Sequence, residues 1–324
     1  MGQSMKFPSI FGKKNPAPPA DALDATRDLW SRQADPKELG RRKYDSWMNH
    51  PLIAADYINK KFGGDAERNW LTYFAGKYAV PGFGTCASLG CGGGGLERHA
   101  LHLGICETFD AYDVAPGAIE IARREAQAAG FHKRITYEAC DINAINLKAG
   151  AYDVVFASQS AHHFENIEHI FAEVEKALKP GGLFVLNEFV GPTRFQWTGR
   201  QLAFANALLE TLPKRYKRSV TTGTQKVRVE RPTIEAMISF DPSEAVRSSE
   251  LLGLLQRQFE IIERIDFGGT LLHILLQDIV GNFDAASPED ALILKLLWAF
   301  EDMLIAQRII DSDFTFIVAK VRDS

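Results

Sequence analysis

The sequence predicts an α/β protein, with an open, seven-stranded, mostly parallel sheet, helices on both faces, a helical preface before it and a helical cap after its fifth strand. Three observations carry that prediction. From Pro81 to about Val190, short apolar runs alternate with amphipathic stretches. The first of those runs leads directly into a turn containing Gly90, Gly92, Gly93, Gly94 and Gly95. After Phe189 the alternation stops, and strand-like runs return only at 259–266 and 314–321.

Residues 1–20 hold Pro16, Pro18 and Pro19 among Lys and Ala and read as a mobile tail. Residues 21–80 carry apolar side chains three or four apart, broken at Gly63 and Gly64, and read as a helical segment. Within 81–190 the spacing predicts strands at 85–89, 107–112, 135–138, 152–157 and 183–189. Helices at 96–103, 116–129 and 167–178 separate them, because neighbouring parallel strands need a crossover. Residues 191–258 are too many for a simple connection and are expected to form a cap with helices at 200–212 and 243–257. Residues 259–324 then return two strands to the sheet, with helices at 271–280 and 289–309 between them.

Composition narrows the function. A chain of 324 residues, 46% hydrophobic, can bury a sizeable core. A net charge of -4 offers no field for a polyanion, so no nucleic-acid partner is expected. No run reaches about 18 uninterrupted apolar residues, so no membrane span is expected. Without a secretory apolar region near the start, the cytoplasm is the expected location. Cys86, Cys91, Cys106 and Cys140 form no CxxC pair and read as buried free thiols. No cluster with metal-ligand spacing appears, and no metal is expected.

Chemistry concentrates at the ends of the predicted strands. Glycine at the first turn lets a ligand lie against the backbone where a Cβ would collide. Gly90, Gly92 and Gly95 also satisfy the G-x-G-x-x-G spacing of nicotinamide-binding turns, which keeps an oxidoreductase open. About twenty residues on, Asp113 ends the second strand, where a carboxylate can accept both hydroxyls of a ribose. Asp141 follows the third strand, where it either takes an adenine amino group, with Ile142 on the ring, or caps a turn. His162 and His163 follow the fourth strand. Imidazole titrates near neutral pH, so either could be a general base, the alternative being a structural role. Glu188, near the end of the fifth strand, is a third base candidate unless alternation buries it beneath the cap.

The run YDVVFASQSAHHFENIEHIFAEVEKALKPGGLFVLNEFV orders a strand, a polar turn, an amphipathic helix, a Leu-Lys-Pro-Gly-Gly turn and another strand. With the glycine turn, it resembles the class I S-adenosylmethionine-dependent methyltransferases over about residues 83–190. The resemblance implies a Rossmann-like sheet and S-adenosylmethionine as cofactor. It also implies that Gly90, Cys91, Gly92 and Gly94 face the methionine and ribose moieties, with Asp113 on the ribose. Val114 is then expected beside the adenine, Asp141 and Ile142 at its amino group and face, and Ser158 and Gln159 beside the methionine portion. One departure stands out: many members carry an acid two positions before the first glycine, and this chain has Ser88.

Residues 191–198 and 241–248 resemble segments of bacterial methyltransferases from surface-polysaccharide pathways. That implies a small-molecule or carbohydrate-like acceptor, with O-methylation ahead of N-methylation. Arg194, Trp197, Arg247 and His273 are the candidate acceptor contacts. Lys214, Arg215, Lys217, Arg218, Lys226, Arg228 and Arg231 form a basic run, read either as a solvated face or as a seat for a phosphate-bearing acceptor. A non-catalytic cofactor-binding scaffold is the competing reading, with LLHILLQDIV as an interface. The oligomeric state stays open, a homodimer included.

Overall fold

The computed structural model describes residues 22–33 and 46–322, so the tail expected over 1–20 lies outside the described residues. Seven strands form one sheet: β1 (Phe83–Leu89), β2 (Cys106–Asp113), β3 (Ile135–Ala139), β4 (Tyr152–Ser158), β5 (Leu178–Phe189), β6 (Phe259–Gly268) and β7 (Phe314–Val321). Their order is β3-β2-β1-β4-β5-β7-β6. β1 to β5 run parallel, and β7 lies antiparallel between β5 and β6.

β5 begins earlier than its apolar run does. Leu178 already pairs with Tyr152, the register slips, and Val154 then pairs with Leu183. The expected turn at 178–182 is therefore an irregular opening of the strand, and the preceding helix stops at Ala177. β4 sits mid-sheet with Val154, Val155, Phe156 and Ala157 all buried, which is why it reads as an unbroken apolar run. Successive residues face opposite layers. Cys86 and Phe156 join one core with Trp47, Phe74 and Phe316, while Ala87 and Val155 join another with Phe171, Phe184 and Phe259.

The described part of the preface is helical, with α1 (Ala22–Gln33), a stretch whose middle, Ile53–Ile58, is π-helical, and α2 (Trp70–Tyr78). The sheet helices are α3 (Gly95–His102), α4 (Pro116–Ala128) and α5 (Ile167–Ala177). On α5, Ile167, Ile170, Phe171, Val174 and Ala177 are the buried residues, and their spacing of three and four sets one face on the sheet.

Residues 191–258 hold three helices: α6 (Gly199–Thr211), α7 (Ile234–Phe240) and α8 (Leu251–Gln258). α6 opens on a capping box between Thr198 and Gln201. α7 was not legible from apolar spacing, although Thr233 caps it by accepting the Ala236 amide. The helix expected at 243–257 starts only at Leu251, because Asp241 Oδ1 accepts from the Ser243 amide and hydroxyl and holds the chain in a turn. Two further helices, α9 (Thr270–Leu276) and α10 (Pro288–Ala306), precede β7. α6 packs on α9, and Phe204 of α6 meets Phe300 of α10 at 6.0 Å.

No helix among the described residues is long and apolar enough to cross a membrane. The four cysteines are free thiols; Cys86, Cys91 and Cys106 are buried and Cys140 is half-buried.

Candidate functional site

Two cavities open at the carboxyl ends of the parallel strands and share Gly90 and Gln159 in their walls. This is the edge where ligands bind in open α/β sheets, on both sides of the point where strand order reverses from β1 to β4. The larger, about 620 Å³, is walled by Gly90, Gly92, Asp113, Val114, Asp141 and Ile142 from the sheet side. Trp30 of α1 and Arg194, Pro242 and Ser243 close it from the other. The smaller, about 390 Å³, lies between the glycine turn with α3 and the preface. Met48, Ile58, Trp70, Leu71 and Phe267 make its apolar wall.

The glycine turn is built for close approach. Gly90 has φ +76°, and a Cβ there would sit 2.4 Å from Ser160 Cβ. Gly94, at φ +74°, would bring one 2.4 Å from Tyr137 Oη. Asp113 pins the turn by accepting the Gly92 amide at 2.7 Å and the Ala115 amide at 2.9 Å. Burial raises the Asp113 carboxyl, and those amides partly offset the rise. Asp141 caps the turn after β3 by accepting the Asn143 amide at 2.9 Å, and it also lines the larger cavity. Cys91, Ser158 and Gln159 line the smaller cavity; Gly94, the residue before α3, lines neither.

The three base candidates separate. His162 and Glu188 are fully buried, and the His162 Nδ1 to Glu188 Oε1 distance is 2.5 Å. Glu188 also accepts the Ser160 and Ala161 amides at 2.9 and 2.6 Å, so its oxygens are occupied inside the protein. Neither residue lines either of these two cavities. Burial pulls the His162 imidazole down, but Glu188, Glu244 and Asp241 outweigh it and the net direction is upward. His163 does line the larger cavity, with Nδ1 2.9 Å from Ser243 Oγ and its ring edge-on to Trp30. Burial, then the neighbouring His162 charge, holds His163 well below the usual imidazole range.

Sequence spacing gave no sign of Asp241 and Glu244 at this place. Asp241 accepts the Trp30 indole N–H at 3.0 Å, and Glu244 Oε1 lies 3.6 Å from His162 Nε2. The group closes the cap onto the sheet from residues some eighty positions apart. Ligand atoms of His162, His163 and Glu244 come within 4.8 Å of one another, the cluster of metal-binding side chains found among the described residues.

The acceptor candidates are also dispersed. Arg194, at φ 52°, lines the larger cavity and donates to the Glu244 carbonyl at 3.0 Å. Trp197, Arg247 and His273 line neither cavity. Trp197 stacks on Phe195, and His273 packs against Phe189, Phe195 and Phe314. Arg247 pairs on the surface with Glu168 and Glu250. Much of the basic run is structural: Lys226 donates to the carbonyls of Ile274, Leu275 and Gln277 at the end of α9, and Arg231 to that of Trp197.

One residue of the smaller cavity escaped the sequence reading altogether. Glu97, in the first turn of α3, is fully buried, and Ser88 Oγ donates to its Oε1. The unusual Ser88 was visible in the sequence; the glutamate it meets was not.

Residues 87–186 match the family described as a methyltransferase domain. A sterol 24-C-methyltransferase of Candida albicans is 27% identical over 137 residues, which are 41% of this chain and 36% of that enzyme. A sterol 4-C-methyltransferase of Caenorhabditis elegans is 27% identical over 138 residues, 41% of this chain and 41% of that one. The chain thus matches well under half the length of these curated relatives. A solved geranyl diphosphate C-methyltransferase from Streptomyces coelicolor A3(2) is similar at a TM-score of 0.51 and 13% identity, covering 95% of this chain and 100% of that one, a likeness of fold. Residues 87–186, from β1 into β5 of a sheet ordered β3-β2-β1-β4-β5-β7-β6, are thus similar to a methyltransferase domain, which agrees with the resemblance to class I S-adenosylmethionine-dependent methyltransferases.

Proposed function

We propose that the protein transfers a methyl group from S-adenosylmethionine to a small, largely apolar acceptor of sterol or terpenoid type. The observation that carries this reading is the junction of two cavities at Gly90 and Gln159, one with polar strand-end residues suited to a nucleoside and one with an apolar wall. Bound S-adenosylmethionine supplies a methyl group already activated by its positive sulfur. Asp113 then holds the ribose, Val114 and Ile142 flank the adenine, and Asp141 faces its amino group. Ser158 and Gln159 lie beside the methionine portion, where the cavities meet.

Met48, Ile58, Trp70, Leu71 and Phe267 exclude water around the acceptor and hold it in line with the methyl, which supplies most of the acceleration. An apolar acceptor suits these walls, and the relatives named above act on sterols. The carbohydrate-like acceptor and O-methylation have less support, since Trp197, Arg247 and His273 lie away from both cavities. Of the three base candidates only His163 lines either cavity, and it lines the larger, nucleoside-side one, where burial keeps it neutral at pH 7.

Calorimetry and labelled-methyl transfer test the reading together. Asp113→Ala is expected to weaken S-adenosylmethionine binding by about 10- to 100-fold, the worth of lost charge-assisted hydrogen bonds. Label is expected to pass to a sterol or prenyl compound and not to sugars. Transfer only to a sugar overturns the acceptor class, and tight binding without transfer to any acceptor favours the scaffold reading.

A further inference from the structure

Of four carboxylates at or near the strand ends, Asp113 and Glu188 have both oxygens occupied by protein donors, and Asp141 is only half-buried with one oxygen on an amide. Asp113 accepts the Gly92 and Ala115 amides, Asp141 the Asn143 amide, and Glu188 two amides and the His162 ring. Glu97 differs. Its Oε1 takes the Ser88 hydroxyl, while its Oε2 is buried with no hydrogen-bond partner among the described residues. A buried carboxylate oxygen left unpaired is costly, and the cost falls when a cation faces it.

Among the described residues, no cation contacts that oxygen. Arg98, next along α3, turns away and donates to the Gly93 carbonyl at 2.7 Å. Among the described residues, the other ionisable groups whose charge reaches Glu97 are Asp113, Cys91 and Tyr137, none of them positive, and burial holds His99 of the same cavity below the usual imidazole range. Glu97 lines the smaller cavity together with Ser88 and with Gly90, Ser158 and Gln159, the last three being residues assigned above to the methionine end of the cofactor. That portion ends in an α-ammonium group.

We infer that Glu97 pairs with the α-ammonium of the cofactor, supplying from α3 the carboxylate that Ser88 lacks. Ser88 orients it: a hydroxyl on β1 holds Oε1 and leaves Oε2 for the ligand. The first turn of α3 adds favourable partial positive charge to the carboxylate. This assignment rests on the cofactor reading above. Burial pushes the Glu97 carboxyl up to about 7, the Ser88 hydrogen bond, its own amide and Arg98 opposing the shift and Asp113 adding to it. Pairing with an ammonium therefore drives off a proton when the pH lies below that value.

Calorimetry with S-adenosylhomocysteine and with 5′-methylthioadenosine, which lacks the amino-acid end, tests the assignment. Glu97→Gln is expected to weaken S-adenosylhomocysteine by about 10- to 100-fold and methylthioadenosine by less than about threefold. Ser88→Asp added to Glu97→Gln is expected to recover much of the loss, because it returns a carboxylate to the same place. A measurement on the unaltered protein needs no variant to fold: at pH 6, S-adenosylhomocysteine should release about one proton and methylthioadenosine none. Equal weakening of both ligands, unchanged binding of S-adenosylhomocysteine, or no difference in proton release overturns the role of Glu97. Failure of the unaltered protein to bind either ligand overturns the cofactor reading, and the assignment with it.

Discussion

Glu97 keeps its carboxyl from water beside Ser88, and the cost depends on pH. The folded chain holds a proton up to about pH 7, whereas an unfolded one releases it near the ordinary value of 4.5. The penalty is therefore absent below about pH 4.5, grows between the two values and is full above about pH 7. Glu97→Gln removes it, so the ligand-free variant is expected to gain stability over the unaltered protein on going from pH 5 to pH 8, by up to about 3 kcal/mol. Urea midpoints at the two pH values measure this, and parallel changes in both proteins would contradict it. His162 has the opposite sense: its raised imidazole stabilises the fold below its unfolded value and loses that contribution as pH rises through the folded one. The sequence showed Ser88 as an oddity and the two histidines as a pair. It could not show which ring is sealed, because Glu188 and Glu244 reach His162 from β5 and from the cap.

Between β1 and α3, the glycine turn lets protein side chains stand where a Cβ would be. β1 ends at Leu89, Gly90 turns the chain at φ +76°, and Ser160 from the turn after β4 fills the space a side chain would need. Gly90→Ala is expected to cost about 1–3 kcal/mol for the backbone conformation alone, and to impair cofactor binding by displacing Ser160. A variant with an unchanged thermal midpoint and unchanged calorimetric affinity would show that the turn tolerates a side chain. The strands and α5 were legible from their periods. α7 and the start of α8 were not, since side-chain capping by Thr233 and Asp241 decides them locally.

For the molecule as a whole, the segment after β5 is a cap only in part. It closes the larger cavity through Arg194, Pro242 and Ser243, yet α6 is packed on α9, and Lys226 satisfies three carbonyls at the end of that helix. Gln201, Ala205, Leu209 and Tyr216 are buried in this packing. Deleting residues 200–231 is therefore expected to abolish cooperative unfolding along with ligand binding, because it opens the core beneath α9 and α10. A deletion variant with a sharp thermal transition and intact S-adenosylhomocysteine binding would show that the segment is separable.

The sequence by itself determined the strand count, the parallel half of the sheet, the glycine turn and the strand-end positions of Asp113 and Asp141. Each of these is written in local order, as a period of two or 3.6 residues or as a residue type at a turn. Tertiary structure decided which candidates share a cavity. It sealed His162 and Glu188 together, turned His163 to the larger cavity, and left Trp197, Arg247 and His273 outside both cavities. It also brought Glu97 of α3 against Ser88 of β1. Such pairings depend on how helices and strands pack across the sheet, and a burial that leaves one carboxylate oxygen unmatched has no signature in local spacing.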